Sequence, residues 1–326
     1  MRVLLVSPVF HRYWQALQAA LTALGHEVVA HCYDSGDRLG NAIAHRYPAS
    51  GTAARVRSRA TDAATAVLTE VRPDAVLVVK GDALGTSWWD ALARSGARST
   101  VWLYDELARM TYDAAALAVP AQVLSYSPDD VRALQARGIT ADLLPDGFDS
   151  LTPFTARPSA SVTFIGARYP ERERLLRMLA ASGEPVEAYG REWSRNPWDV
   201  LRTRRWTASG VIAHRDVDRA AYYGIMAGSI ATFNIHGDGH DGLSMRTFEA
   251  PGVGALQLID RPSVAEYYEV GAETLLFESD DELRDHVRRA RREPEWARGI
   301  REAGRRRTLA EHTLVHRMRK VQSAWA

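Results

Sequence analysis

The stretch NIHGDGHDGLSMRTFEAPGVGALQLID, residues 234–260, gathers the groups best able to do chemistry. An apolar run, SIATFNI, with Asn234 near its end as a candidate ligand-binding residue, ends in a Gly-rich polar loop, and the pattern predicts a helix from about Ser244 to Gly252 or Gly254. A helix start behind such a loop offers backbone N–H groups and the positive dipole end to an anion, which is the chemistry of phosphate binding. Arg246 adds a cation in the first turn, and Gly242 lets the loop approach a ligand closely. Glu249 follows one turn later on the same side as Arg246 and Met245. A carboxylate there can accept both hydroxyls of a sugar or ribose diol. An ordinary loop and helix with an internal Arg–Glu pair explains the stretch alone equally well.

A second stretch, FIGARYPERERLL, brings a strand into Gly166 and then sets Arg168, Arg172 and Arg174 around a helix start. A glycine turn with cations suits a diphosphate; a βα loop with surface arginines is the plainer reading. His236 and His240 stand four apart around GDG, which is not a metal-ligand spacing, and no metal site is expected. The first turn of the chain, SPVFHRYW, lacks the G-x-G-x-x-G of a dinucleotide site, and no P-loop lysine motif occurs.

These residues need elements to hold them. The 326 residues suit two domains of roughly 150 each. Apolar runs alternate with helical stretches, the pattern of doubly wound parallel sheets. In the first half the runs are RVLLVSP, EVVAHCY, DAVLVVKG, STVWLYD, QVLSYS and LLPDGFD; in the second, SVTFIGA, PVEAYG, GSIATFNI, GALQLID and TLLFE. YWQALQAALTALG reads as a helix ending at Gly25, and SDDELRDHVRRARR as one opened by Ser279 with Glu282 in capping-box spacing. The expected division is residues 1–150, a Ser/Thr/Pro-rich linker at 151–160, 161–309, and a terminal helix at 310–326 that returns to the first domain. Ligands in such sheets bind at the carboxyl ends of the strands.

The single cysteine, Cys32, excludes an internal disulfide and points to a reducing, cytoplasmic setting, with Cys32 as buried filler. No apolar run reaches the ~18 residues of a membrane span. The net charge is +1, but Arg284–Lys320 carries a local +8. Such a run could touch nucleic acid or an anionic surface; solvated helix faces explain it more simply, and no nucleic-acid partner is expected.

FIGARYPERERLL, SIATFNIHGD, SMRTFEAPGVGALQLIDRP and the tail ETLLFESDDELRDHV…HTLVHRM together resemble the GT-B-fold glycosyltransferases of the spore-maturation CgeB-like type, with a C-terminal domain of the group 1 kind. The resemblance covers residues from about 161 to the end well. It covers the first half loosely, through DAVLVVKG, VWLYDE, VLSYSPDDVRALQARG and LLPDGFD. It implies two Rossmann-like domains facing each other across a cleft, with a nucleotide-sugar donor in the second. The group 1 pattern of two acids separated by seven residues falls on Asp241 and Glu249, with Asp in place of the usual first Glu. Glu249 would then hold the ribose and Asp241 would face the sugar. Gly166, Arg168, Arg172 and the amides near Ser244 would hold the diphosphate, and Arg246 would neutralise it as it leaves. No metal or cofactor is implied beyond the nucleotide sugar, with UDP the default base.

The acceptor, a small molecule or carrier-linked group, would meet the first-domain loops SPVFHRYW, KGDALG and YDELARM. Asp105 or Glu106 is the candidate base, followed by His11 and Asp82; Asp105 could equally cap a helix, and His11 could be a surface residue. Three rivals stay open: a non-catalytic nucleotide-sugar or phospho-ligand binding module, a nucleotide-sugar epimerising enzyme of the same fold, and a nucleic-acid binder. Assembly, including a homodimer, is open.

Overall fold

The computed structural model describes residues 1–36, 38–47, 49–112, 115–236 and 241–325. Two units divide the chain: Met1–Asp146 with Leu314–Ala326, and Gly147–Thr313.

The apolar runs of the first half form β1 (Arg2–Ser7), β2 (Glu27–Cys32), β3 (Ala75–Val79), β4 (Arg98–Trp102), β5 (Gln122–Ser125) and β6 (Ala141–Leu143). They pair in parallel in the order β2-β1-β3-β4-β5-β6. Val3, Leu4, Leu5 and Val6 of β1 have no exposure, as a strand covered on both faces requires. The chain leaves β1 toward β2 on one side and returns to β3 on the other, so the switch point lies between β1 and β3.

The second half repeats the plan with β7 (Val162–Ile165), β8 (Val186–Tyr189), β9 (Ile212–His214), β10 (Ala231–Asn234), β11 (Gln257–Ile259) and β12 (Leu275–Leu276). Their order is β12-β11-β10-β7-β8-β9, again parallel, and the switch point falls between β7 and β10. Phe164, Phe233, Leu256 and Leu258 centre its core. Strand β9 is absent from the sequence reading; it is a three-residue edge strand with Ile212 exposed.

Local signals set the helix ends. Tyr13–Ala23 stops before Gly25, at φ 86°. In helix Asp280–Arg292 the Ser279 side chain accepts the Glu282 N–H (3.3 Å), and the Glu282 carboxylate reaches back to accept the N–H of Glu278, the residue before the cap, at 2.8 Å. The helix expected from Ser244 starts at Arg246 and ends at Gly252.

Residues 154–159 lie along helix Arg219–Gly228. The Arg157 N–H donates to Gly224 O and the Ser159 N–H to Gly228 O, both at 2.9 Å. A Cβ at Gly224 would stand 2.3 Å from Thr155 O, and one at Gly228 1.9 Å from Arg157 O. The two glycines, one turn apart, make the groove that holds this Ser/Thr/Pro-rich segment. Helix Leu314–Ser323 belongs to the first unit and packs on Tyr13–Ala23. Arg317 Nε donates to Pro145 O (2.8 Å) and Asp146 O (2.9 Å), and the Trp325 indole to Thr100 Oγ1 (3.0 Å).

Candidate functional site

At the switch point of the second unit, β7 and β10 end side by side and two arginines close over them. Arg172, in the first turn of helix Pro170–Ala181, donates from Nε and Nη2 to Ile235 O at 2.9 and 2.6 Å. Arg246, which opens helix Arg246–Gly252, donates from Nη2 to Ile165 O at 2.6 Å. Both guanidiniums lie over the Phe164 ring, at 5.3 and 5.4 Å from its centroid. Gly166 leaves room for this: a Cβ there would stand 3.0 Å from Arg246 Nη2 and 3.3 Å from Phe164 Cζ. Among the described residues neither arginine is ion-paired to a carboxylate. Burial, and then Arg246 beside it, pull the Arg172 guanidinium down to about 10. Two adjacent cations held by carbonyls, with no carboxylate in direct contact, make this a candidate anion site.

The loop that carries Arg246 is braced from inside. Asn234 has no exposure; its amide donates to Thr247 Oγ1 (2.9 Å) and its Oδ1 accepts from Ser244 Oγ (3.0 Å). His236 Nδ1 stands 2.9 Å from Asp260 Oδ1, and its Nε2 accepts the Ser244 N–H at 3.1 Å. This pattern assigns the proton to Nδ1 and the lone pair to Nε2, so the ring is neutral. Burial lowers its pKa, against the pull of Asp260. The Ser244 amide expected at a diphosphate is therefore committed to His236, and the seven-residue helix behind it is short. The candidate anion site therefore consists of side-chain cations more than backbone amides. Asn234 is a brace with no surface to offer a donor. Gly242 is buried just before the helix and Asp241 beside it is half-buried; His240 lies outside the described residues.

Arg168 does not join the pair. Its side chain is 3% exposed and makes a two-bond fork with Glu173, both at 2.8 Å, and its Nη1 donates to Thr207 O at 2.9 Å. Glu173, five residues on, takes the guanidinium that the glycine turn was expected to aim at a ligand. Arg174 is likewise paired, to Glu171 and Asp280.

Glu249 is completely buried. Its Oε2 accepts from the Tyr222 hydroxyl (2.8 Å) and its Oε1 from Tyr223 (3.2 Å). Burial, and then the Glu249 charge, drive both phenols well above their ordinary range, so both stay protonated donors. Tyr222, half-buried and also close to Arg246, is the layer between Glu249 and the arginine pair. Nothing in the sequence near Glu249 announces the tyrosines, which come from a helix 26 and 27 residues earlier.

In the first unit the carboxyl ends of β1, β3 and β4 carry strained backbone. His11 (φ 42°), Arg12 (φ 60°), Lys80 (φ 58°) and Tyr104 (φ 58°) are non-glycine residues in the left-handed region, a conformation that costs on the order of 1 kcal/mol or more each. Asp105 accepts from Lys80 Nζ at 2.9 Å, with Arg109 at 3.7 Å, and keeps about a quarter of its side chain exposed (26%). Glu106 is buried and bonded to Tyr126. Asp82 is half-buried beyond Gly81, and His11 is exposed at the tip of the β1 loop. Cys32 is half-buried with its thiol pushed up to about 11 by burial and then by Asp34, which leaves it inert as a nucleophile.

The basic run near the end of the chain is largely internal pairing. Arg298 bonds Glu295 and Glu302, Arg307 bonds Glu273 and Glu311, and Arg301 holds the Ser229 and Ile230 carbonyls.

Two parallel, doubly wound six-stranded sheets, each with its switch point at the carboxyl edge, are the GT-B fold. Residues 168–323 match the model of the glycosyl transferase-like family, and the arginine, His236 and Glu249 constellation lies almost wholly within the matched residues. A glycosyltransferase from Rickettsia africae is similar in structure, with TM-score 0.65, 13% identity, and 99% of this chain and 97% of that one covered. Anabaena Alr3699/HepE in complex with UDP and glucose gives 0.61, 12%, 99% and 98%. The UDP-GlcNAc 2-epimerase of Neisseria meningitidis bound to UDP-GlcNAc gives 0.62, 12%, 99% and 99%. No curated protein matches the sequence. Among the described residues no group of three His, Cys, Asp or Glu side chains converges as metal ligands, and no helix is long and apolar enough to cross a membrane.

Proposed function

We propose that this chain is a glycosyltransferase that takes a sugar from a nucleoside-diphosphate sugar, UDP-sugar in the first instance, and passes it to a small or carrier-linked acceptor in the cytoplasm. The observation that carries the reading is the Arg172–Arg246 pair: two cations without a carboxylate partner at the switch point of a glycosyl transferase-like domain. Cleavage of the sugar–phosphate bond builds negative charge on the departing diphosphate, and preorganised guanidiniums stabilise it with no metal required. Glu249 takes the ribose hydroxyls once the Tyr222 hydroxyl yields its place, and Asp241 faces the sugar. On the acceptor side Asp105 is the base of choice, because it is the strand-end carboxylate that combines exposure with a fixed position; Glu106, Asp82 and His11 follow. The CgeB-like subgroup is the closest description of the sequence blocks.

The epimerase among the structural matches supports a second reading, in which the nucleotide sugar is isomerised rather than transferred. Incubation with UDP-sugars separates the two. Release of UDP together with a glycosylated product supports transfer, an isomerised UDP-sugar supports the alternative, and binding without turnover of any sugar nucleotide reduces the chain to a binding module.

A further inference from the structure

The connection between β8 and β9, on the donor-side unit, presents apolar side chains to solvent that the donor reading leaves without a task. Trp198 is 76% exposed, Leu201 59% and Trp206 71%. Two tryptophans and a leucine at these exposures amount to roughly 400 Å² of apolar surface, at the level where a patch on a monomer marks an interaction site.

Their exposure is built, not frayed. Asn196 caps helix Pro197–Thr203 by accepting the Trp198 N–H at 3.1 Å, Pro197 occupies its first turn, and Arg204 ends it at φ 58°. Asp199 turns inward and is fixed by Arg215 through Nε at 2.8 Å. With Asp199 inside, helical spacing sets Trp198, Leu201 and Arg202 on the outer face. The return leg is pinned as well: Arg168 holds Thr207 O at 2.9 Å, and Arg177 holds Ser209 O at 2.6 Å. Arg168 thus has a role after all, as the peg that fixes the segment carrying Trp206.

The charges decide the partner. Arg195, Arg202, Arg204 and Arg205 are exposed around the apolar residues, and none is ion-paired among the described residues. Exposed arginines that have a carboxylate beside them, such as Arg174, Arg289, Arg298 and Arg307, are neutralised by it. The one acid of residues 195–206, Asp199, faces inward. Tryptophan prefers the headgroup level of a bilayer, and arginine without a carboxylate partner prefers anionic lipid; their combination on one short segment, held at both legs, suits a surface both greasy and negative.

We infer that the Arg195–Trp206 excursion is a peripheral docking surface for an anionic lipid bilayer, on which the protein rests without spanning it. The inference does not rest on the donor reading, and its test uses no nucleotide. The full chain is sedimented with vesicles of phosphatidylcholine plus phosphatidylglycerol, and with phosphatidylcholine alone. Expected is binding to the anionic vesicles about ten-fold or more tighter than to neutral ones, weakened by salt. Trp198→Ala/Trp206→Ala lowers it about ten-fold, and Arg195→Gln/Arg202→Gln lowers it on anionic vesicles only. These side chains are exposed, so unchanged melting of each variant confirms the fold. A wild-type chain that stays in the supernatant overturns the proposal, as does a double-tryptophan variant that binds like wild type. So does self-association abolished by the tryptophan changes, or salt-sensitive binding to single-stranded nucleic acid in place of vesicles, since either gives the patch another occupant.

Discussion

Arg172→Met tests whether the arginine pair exists for a ligand or for the fold. Holding Arg172 near 10, well below its ordinary value, means that the folded protein carries this charge at a cost. At about 1.36 kcal/mol per pKa unit the cost is on the order of 3 kcal/mol, an upper figure for a group with some solvent contact. Methionine keeps the length of the side chain and sheds the charge. Against that relief, Ile235 O loses the donor that now caps it at 2.6 and 2.9 Å, a loss of about 1–2 kcal/mol. The variant should therefore be as stable as wild type, or up to about 2 kcal/mol more stable. The pH sign follows from a cation whose folded pKa is depressed. The penalty is fully present below about pH 10 and fades only as pH rises from about 10 toward 12.5. Across neutral pH the stability difference should accordingly be flat. Binding should move the other way. A guanidinium–phosphate bond contributes about 1.5–3 kcal/mol, so UDP should bind roughly 10- to 150-fold more weakly. Denaturant melts at several pH values and isothermal titration with UDP read the two quantities separately. A variant destabilised by more than about 2 kcal/mol that keeps its UDP affinity would refute the reasoning, because Arg172 would then be structural.

Glu249→Ala should cost about 2–4 kcal/mol by orphaning the Tyr222 and Tyr223 hydroxyls, and Glu249→Gln less; both should weaken UDP, and unaltered UDP titrations would remove Glu249 from the donor site. Below about pH 6.5 the protein should lose stability, because the unfolded chain protonates His236 while the folded one resists; the effect of Asp260, whose folded pKa is lowered, begins only below about pH 4. His236→Asn should flatten the slope between those limits, and an unchanged slope in urea melts would assign it to other groups. Gly228→Ala should destabilise by more than about 3 kcal/mol in thermal melts, since its Cβ would fall 1.9 Å from Arg157 O on the backbone. Asp105→Asn should lower turnover by about 10²-fold or more at unchanged UDP affinity, and full turnover would end its candidacy as base.

The sequence shows what depends on local pattern and hides what depends on reach. Strand β1 is legible because a strand buried on both faces must be apolar throughout, and RVLLVS is; the edge strand β9 is hidden because three residues with Ile212 exposed satisfy no pattern. Arg172 and Arg246 were legible as cations beside a glycine and a helix start, but nothing local told them from Arg168. What separates the three is where carboxylates fall in space. Glu173 reaches Arg168 across a helix entry, and none reaches the other two. The same holds for Glu249, whose spacing from Asp241 is written in the chain while its shield of tyrosines comes from another helix. A charged residue in a sequence is thus only a candidate ligand group, and the fold decides by pairing which candidates stay available. Arginines left without a carboxylate become informative where a second feature stands beside them, as the Phe164 ring and the strand ends do for Arg172 and Arg246, and the exposed Trp198 and Trp206 do for Arg195, Arg202, Arg204 and Arg205.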